Sequence, residues 1–174
     1  TPSRELIRGV ELVAENEELT GVVKSQDKGL LEKYLWGKDS LDLLKLCPNV
    51  SFDIAELLSW LKPLQHRAYS ISSSSKAHKN EVHLTVAAVR WDHENRSHKG
   101  VCSTFLADNV PVGEQAGIFM SPNKSFRVPE DDTVPMIMVG PGTGVAPFRA
   151  FLEERRERSA SGANWLFFGD QHRK

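Results

Sequence analysis

From Thr1 to about Pro63 the apolar positions recur at helical spacing: Leu6, Val10 and Val13, then Leu30, Leu31, Tyr34 and Leu35, then Ile54, Leu57, Leu58 and Leu61. Residues 1–63 therefore read as a small helical subdomain. Asp39 or Ser40 ahead of LDLLKL, and Ser51 ahead of DIAELLSWL, have the character of N-caps, and Pro48 and Pro63 punctuate the ends. From residue 64 the period falls to two. HRAYSIS and VHLTVAAVRW read as strands, the second with Val82, Leu84, Val86 and Ala88 on one face and His83, Thr85, Ala87 and Val89 on the other. SSSSKAHKN is a polar connection between them. GVCSTFLAD predicts a short helix opened by Gly100, and GIFMS and SFRVP resume extended structure before the PEDD turn. An antiparallel barrel or sandwich is the natural packing for residues 64–133.

At Pro135 the pattern changes again, to an apolar strand PMIMVG, a glycine-rich loop PGTG, an amphipathic helix VAPFRAFLEERRER and a second apolar strand NWLFFG. That order predicts a β-loop-α-β unit over residues 134–174, with parallel strands joined by the helix. Two parallel strands are too few for a finished domain, so a truncated α/β domain, part of a longer protein, is expected. The fold class is α+β.

Composition narrows the functions open to such a fold. Of 174 residues 40% are apolar and 26% charged, an ordinary globular balance with room for one core of useful size. The formal net charge of -1 gives no global field for nucleic acid or an anionic membrane, so any anion must be caught locally. No apolar run approaches a bilayer span and TPSREL lacks a signal-peptide pattern, so a cytoplasmic location with no membrane partner is expected. Cys47 and Cys102 are far apart and predict reduced thiols. The six histidines are scattered, with His93 and His98 the close pair, and their spacing matches no common metal pattern; no metal is expected. GxSxG is absent, so no hydrolytic nucleophile stands out. EERRER reads as the solvated face of the last helix, with Glu-to-Arg pairs at helical spacing.

The strongest local signal is Gly140, Pro141, Gly142, Thr143 and Gly144 between strand and helix. Glycines there let the backbone approach a ligand, and the amides opening the helix suit phosphate; any tight strand-to-helix turn also favours glycine. The Walker Lys-Ser/Thr pair is missing, and Ala146-Pro147 stand where the dinucleotide fingerprint has its third glycine. In RAYS, alternation puts Arg67 and Tyr69 on one face, a bidentate phosphate binder beside a flat ring, with Ser70 adding a hydroxyl; a surface Arg beside a half-buried Tyr is equally commonplace. Gly100 to Ser103 form a helix start able to hold an anion, or simply open a helix. Trp91 either stacks on an adenine or roofs the core.

In order, RAYS, TVAAVRW, GVCSTFL, GPGTGVAPFRAF and NWLFFG resemble the ferredoxin-reductase-like module of the diflavin reductases, from about Leu64 to Gly169. The helical first third resembles the connecting subdomain those proteins insert into their flavin barrel. Within the family the wording is most similar to the flavoprotein (alpha) subunits of NADPH-sulfite reductases, with haem-oxygenase and nitric oxide synthase reductases more distant. The resemblance implies an antiparallel flavin-binding barrel with a helical insert, followed by a Rossmann-like nucleotide domain. It implies that Arg67 binds the FAD pyrophosphate, that Tyr69, next to Ala68, stacks on the isoalloxazine, and that Ser70 is the catalytic hydroxyl near the hydride-receiving nitrogen. Thr85, Val86 and Ala87 would line the flavin, Trp91 would pack on the adenine, and Gly100, Val101, Cys102 and Ser103 would cradle the pyrophosphate. Gly140, Gly142, Thr143 and Gly144 would face NADPH. The implied chemistry is hydride transfer from NADPH to FAD, then electrons to FMN on a flavodoxin-like domain outside these residues, then to a sirohaem or haem protein. A reductase for a haem oxygenase or nitrate-reducing partner, and a non-catalytic ligand-binding fragment, are the alternatives. Basic residues reading a 2'-phosphate, an assisting Cys and acid, and a terminal flavin-shielding aromatic are missing from the sequence, and Cys102 does not replace that Cys.

Overall fold

The computed structural model describes residues 2–171, which divide into two compact units: one of residues up to His66 together with Arg90–Lys99, the other of Arg67–Val89 with the residues from Gly100 onward.

The first unit is built on five helices: α1 Arg4–Val13, α2 Glu17–Ser25, α3 Lys28–Tyr34, α4 Ser40–Leu44 and α5 Ile54–Trp60. Each begins at a side chain that accepts from free first-turn amides: Ser3, Asn16, Asp27, Asp39 and Asp53. Asp39 is the expected cap of α4 and forms a reciprocal capping box with Asp42. The cap of α5 is Asp53 rather than Ser51, because its carboxylate lies three residues ahead of the Glu56 amide it accepts from, at 3.0 Å. The helical stripe turns inward as expected, with Leu6, Val10, Leu19 and Leu43 fully buried and Ile7, Tyr34, Leu35 and Cys47 beside them. Each such leucine contributes about 1.5–3 kcal/mol of burial. α1 and α5 pack so closely that a Cβ on Gly9 would lie 2.7 Å from the Trp60 ring. The Ser3 hydroxyl joins the same helices, accepting from the Leu6 amide at 3.0 Å and donating to the Trp60 carbonyl.

The remaining element of this unit is a hairpin, β1 Arg90–His93 antiparallel to β2 Arg96–Lys99. Glu94 and Asn95 turn it with φ of 46° and 61°, the left-handed pair that matches strand twist. Only Arg90 and Trp91 of the expected strand VHLTVAAVRW join this ladder.

In the second unit, β3 Met136–Val139 and β4 Asn164–Phe167 pair in parallel, Met136 opposite Asn164 and Val139 opposite Phe167. Between them lie a tight turn at Gly142–Val145 and α7 Ala146–Glu157, which is the β-loop-α-β unit that the sequence predicts. α6 Val101–Thr104 opens at Gly100 and runs into a wider turn at Phe105–Asn109. A closed antiparallel barrel is not seen among the described residues. RAYSIS meets VHLTV at a single bridge, Ile71 with Leu84, reinforced by the Ser72 amide donating to the His83 carbonyl at 2.8 Å. GIFMS and SFRVP form no strand among the described residues, and Ser125 and Phe126 lie in a bend. Alternation marks the faces of a strand; it does not supply the neighbours whose amides and carbonyls make a ladder.

EERRER corrects the expectation of a solvated face. Arg155 is 2% exposed and donates to the Gly162 carbonyl at 2.8 Å. Arg158 donates to the carbonyls of Pro129 and Glu130 and pairs with Asp132. Glu153 and Glu154 hold the polar connection by accepting from the Ser74 amide and hydroxyl, and Glu154 pairs with Lys76 at 2.7 Å. Arg156 and Glu157 remain exposed and pair at 3.2 Å, while the other four charges of EERRER tie the helix to loops. No helix among the described residues is long and apolar enough to cross a membrane, and Cys47 and Cys102 are both free thiols.

Candidate functional site

The candidate residues in the second unit come together through side chains. Cys102, at the start of α6, lies near enough to Tyr69 of RAYS to perturb its phenol. The Cys102 side chain, then burial, raises the phenol above its ordinary value, while the nearby Arg67 charge pulls it back. Arg67, Tyr69 and Cys102 thus share one neighbourhood. Arg67 itself is exposed, and no hydrogen bond or ion pair among the described residues holds it, so its five N–H donors are free for an anion. Ala68 and Ser70 are exposed beside it, and Tyr69 is half-buried.

At the start of α6 the Gly100 amide donates to the Val89 carbonyl at 2.9 Å, and the Thr104 amide closes the first turn on the Gly100 carbonyl at 2.9 Å. The amides of Val101, Cys102 and Ser103 precede that closure and are the unsatisfied donors of a helix start. Glycine at position 100 is a packing requirement, since a Cβ there would lie 2.7 Å from Ser103 Oγ and 3.0 Å from Val89 Cβ. Ser103, expected to cradle the pyrophosphate with Gly100, Val101 and Cys102, is buried; its hydroxyl accepts from the Val89 amide at 3.1 Å and donates to the Gly100 carbonyl at 3.3 Å. It braces the turn with its side chain and leaves only its amide for a ligand.

Thr85 and Val86 are half-buried and Ala87 is exposed. Arg149 of α7 donates to Thr85 Oγ1 at 3.1 Å, which ties this segment to the helix behind the glycine loop. Sequence reasoning missed Arg149, for nothing in its spacing marks a partner 64 residues earlier. In the loop, Gly142 has φ of 52°, and a Cβ on Gly140 would lie 2.8 Å from the Gly144 carbonyl. Gly140 and Gly142 donate to the carbonyls of Phe167 and Gly169, and Gly144 to that of Pro141. These amides brace the loop against β4, so a ligand here is met by close backbone and exposed Thr143 rather than by a nest of three free glycine amides.

Trp91 lies in the first unit. Its ring stacks on His98, centroids 4.9 Å apart and planes 16° from parallel, and its Nε1–H donates to the Gly37 carbonyl at 3.2 Å. With Arg90, Asp92, Ser97, His98 and Lys99 it lines a shallow cavity of about 340 Å³. The hairpin is anchored by Arg96, which donates to both oxygens of Asp42 at 2.8 and 2.7 Å and meets Asp39 at 2.6 Å. The Arg96 hydrogen bond holds the Asp42 carboxyl well below the usual carboxylate range, against some burial.

Comparison with known proteins agrees with this donor set. Residues 2–105 match the family described as "FAD binding domain", and residues 138–174 match "Oxidoreductase NAD-binding domain". The chain belongs to the FAD-binding domain family. It is similar to sulfite reductase [NADPH] flavoprotein alpha-components: that of Bacillus subtilis is 43% identical over 157 residues, 90% of this chain and 26% of the relative. That of Mannheimia succiniciproducens is 44% identical over 95% of this chain and 27% of the relative. The Escherichia coli O157:H7 protein is 44% identical over 84% and 24%. The chain spans about a quarter of the length of the curated relatives it matches. The expected resemblance to sulfite reductase flavoproteins is thereby borne out.

A flavin dinucleotide fits the residues present in this FAD-binding chain. An uncommitted guanidinium and three helix-start amides are complementary to a diphosphate, and a half-buried aromatic ring suits a planar ring system.

Proposed function

We propose that this chain is the FAD-binding part of an NADPH-dependent diflavin oxidoreductase of the sulfite reductase type. The observation that carries the reading is the shared neighbourhood of Tyr69, exposed Arg67 and Cys102 at the helix start that Gly100 opens. Bound FAD supplies hydride acceptance from NADPH and electron release one at a time toward an FMN domain and a sirohaem protein.

The residues do the binding and orienting. Arg67 neutralises pyrophosphate oxygens in bidentate fashion, and the amides of Val101, Cys102 and Ser103 complete the cradle. Tyr69 covers a face of the isoalloxazine. Ser70, whose hydroxyl is exposed, donates toward the ring nitrogen where hydride arrives. Thr85, steadied by Arg149, lines the flavin with Val86 and Ala87. Trp91, 38% exposed as a residue, is the proposed adenine platform. The loop at Gly140, Gly142, Thr143 and Gly144 takes the nicotinamide dinucleotide. The finer architecture follows the resemblance: a helical connecting subdomain at residues 1–63, part of a flavin barrel at 64–133, and the start of a Rossmann-like NADP domain at 134–174. A cytoplasmic location, a flavodoxin-like FMN domain and a haem-protein acceptor belong to the same proposal.

The test is reconstitution. Purified protein mixed with FAD and passed over a desalting column is expected to keep one flavin per chain, with the absorption envelope of a bound rather than a free chromophore. A colourless protein after exposure to saturating FAD contradicts the assignment.

A further inference from the structure

The polar connection between the two flavin-side segments holds a group of side chains that the function above does not use. His78, Glu81 and His83 each offer a ligand atom within 4.8 Å of the others. The rings of His78 and His83 lie 4.2 Å apart between centroids, closer than His93 and His98 at 6.4 Å, the pair the sequence singled out. We propose that these three residues bind a divalent transition cation of the zinc class, with Glu153 of α7 orienting His78.

Both histidines are set by backbone. The His78 amide donates to the Ser74 carbonyl at 2.9 Å; the His83 amide donates to Ser73 Oγ at 2.9 Å and its carbonyl accepts from the Ser72 amide at 2.8 Å. Between them the chain reverses at Asn80, whose φ is 64°, and Glu81 follows directly. The Glu81 Oε2 then lies 2.9 Å from His83 Nε2 and 3.9 Å from His78 Nδ1. Ligand atoms on one tetrahedral zinc are about 3.3 Å apart, from Zn–N bonds of about 2.0–2.1 Å. Glu81 is exposed, which leaves its side chain room to turn toward that geometry.

The other nitrogen of His78 supplies the second feature of a metal histidine. His78 Nε2 faces Glu153 Oε1 at 3.5 Å, and the second oxygen of Glu153 is fixed by the Ser74 amide at 2.9 Å. A carboxylate on the far nitrogen leaves Nδ1 unprotonated and aimed at the cation, the outer-shell arrangement common to metal-bound imidazoles. Lys76 is drawn away from this group by Glu154, at 2.7 Å. The order His-x-x-Glu-x-His matches no common ligand spacing, which is why sequence alone pointed to none. Two neutral imidazoles and one carboxylate with an open fourth position suit zinc or nickel better than calcium or magnesium, which favour all-oxygen sites. Bound there, the ion clamps the connection to α7.

The experiment is calorimetric titration of chelator-stripped protein with Zn²⁺ alone, with circular dichroism as the control for folding. One high-affinity ion per chain is expected, abolished in the double variant His78→Ala, His83→Ala, and weakened about 10–100-fold in Glu153→Gln. His83→Gln, which keeps a polar side chain of similar reach, is a second variant expected to lose the ion if the double variant misfolds. Absence of stoichiometric binding, or binding that persists in the folded histidine variants, overturns the site; full affinity in Glu153→Gln overturns the orienting role.

Discussion

Asp42→Asn tests how the hairpin that carries Trp91 is held. In the native protein Arg96 places two nitrogens on the two Asp42 oxygens at 2.8 and 2.7 Å, and the Asp39 amide donates to Asp42 Oδ2 at 2.8 Å. An asparagine keeps one acceptor and turns an NH₂ toward the guanidinium or the Asp39 amide. A hydrogen bond to a charged group contributes about 1.5–3 kcal/mol. Asp39 still meets Arg96 at 2.6 Å and limits the loss, so a cost of about 2 kcal/mol is expected at neutral pH. For a cooperative unit of this size that is roughly 8–16 °C in Tm. The sign with pH follows from the depressed Asp42 carboxyl. A carboxylate whose folded pKa lies below its unfolded value, about 3.9, contributes fully above that value and loses its contribution as pH falls toward the folded pKa. The gap between native protein and variant is therefore widest at neutral pH and narrows below about pH 4. Urea unfolding followed by far-ultraviolet circular dichroism, at neutral pH and at about pH 3, measures both. Equal stability at neutral pH to within about 0.5 kcal/mol, or a gap that does not narrow in acid, refutes the anchoring argument.

Further outcomes follow from other contacts. Leu19→Ala removes a fully buried side chain from the helical core and is expected to cost about 2–5 kcal/mol in the same unfolding assay. Cys102→Ala removes the first cause of the raised Tyr69 pKa, so in a Tyr34→Phe background, which leaves one of the two tyrosines, spectrophotometric titration should shift toward an ordinary phenol. Arg149→Ala frees Thr85 and is expected to weaken FAD binding by about 3–10-fold, the worth of one ordinary hydrogen bond, as read by fluorescence titration.

The sequence carried local structure much further than long-range pairing. The β3–loop–α7–β4 unit was legible because strand, glycine turn and amphipathic helix each declare themselves within a dozen residues, and their order dictates a parallel pair. The helices around Leu6, Tyr34 and Leu57 were legible through their 3.6-residue stripe, and the cap at Asp39 through its carboxylate. VHLTVAAVRW was not: its alternation named two faces, but its last residues pair with Arg96–Lys99 and its middle meets RAYSIS at one bridge. Arg155 looked solvated because a charged helix face does not show that the Gly162 carbonyl lies against it. At the site, Arg67, Tyr69 and Cys102 were each visible as residue types, while the proximity of Tyr69 to Cys102 depends on a fold no local pattern contains. The commitment of the Ser103 hydroxyl to Val89 and Gly100 was not legible, because no local pattern places Val89 beside it.

The affinity of FAD for Arg67→Ala relative to the native chain bears most directly on whether the guanidinium, the Tyr69 ring and the Gly100 helix start serve one diphosphate guest. Because Arg67 has no partner within the described protein, its loss should leave folding intact and fall on the ligand alone. Charge-assisted phosphate contacts of about 2–3 kcal/mol correspond to binding weakened roughly 30–150-fold with an unchanged circular dichroism spectrum. Equal FAD affinity in the two proteins would separate Arg67 from the diphosphate and contradict the account.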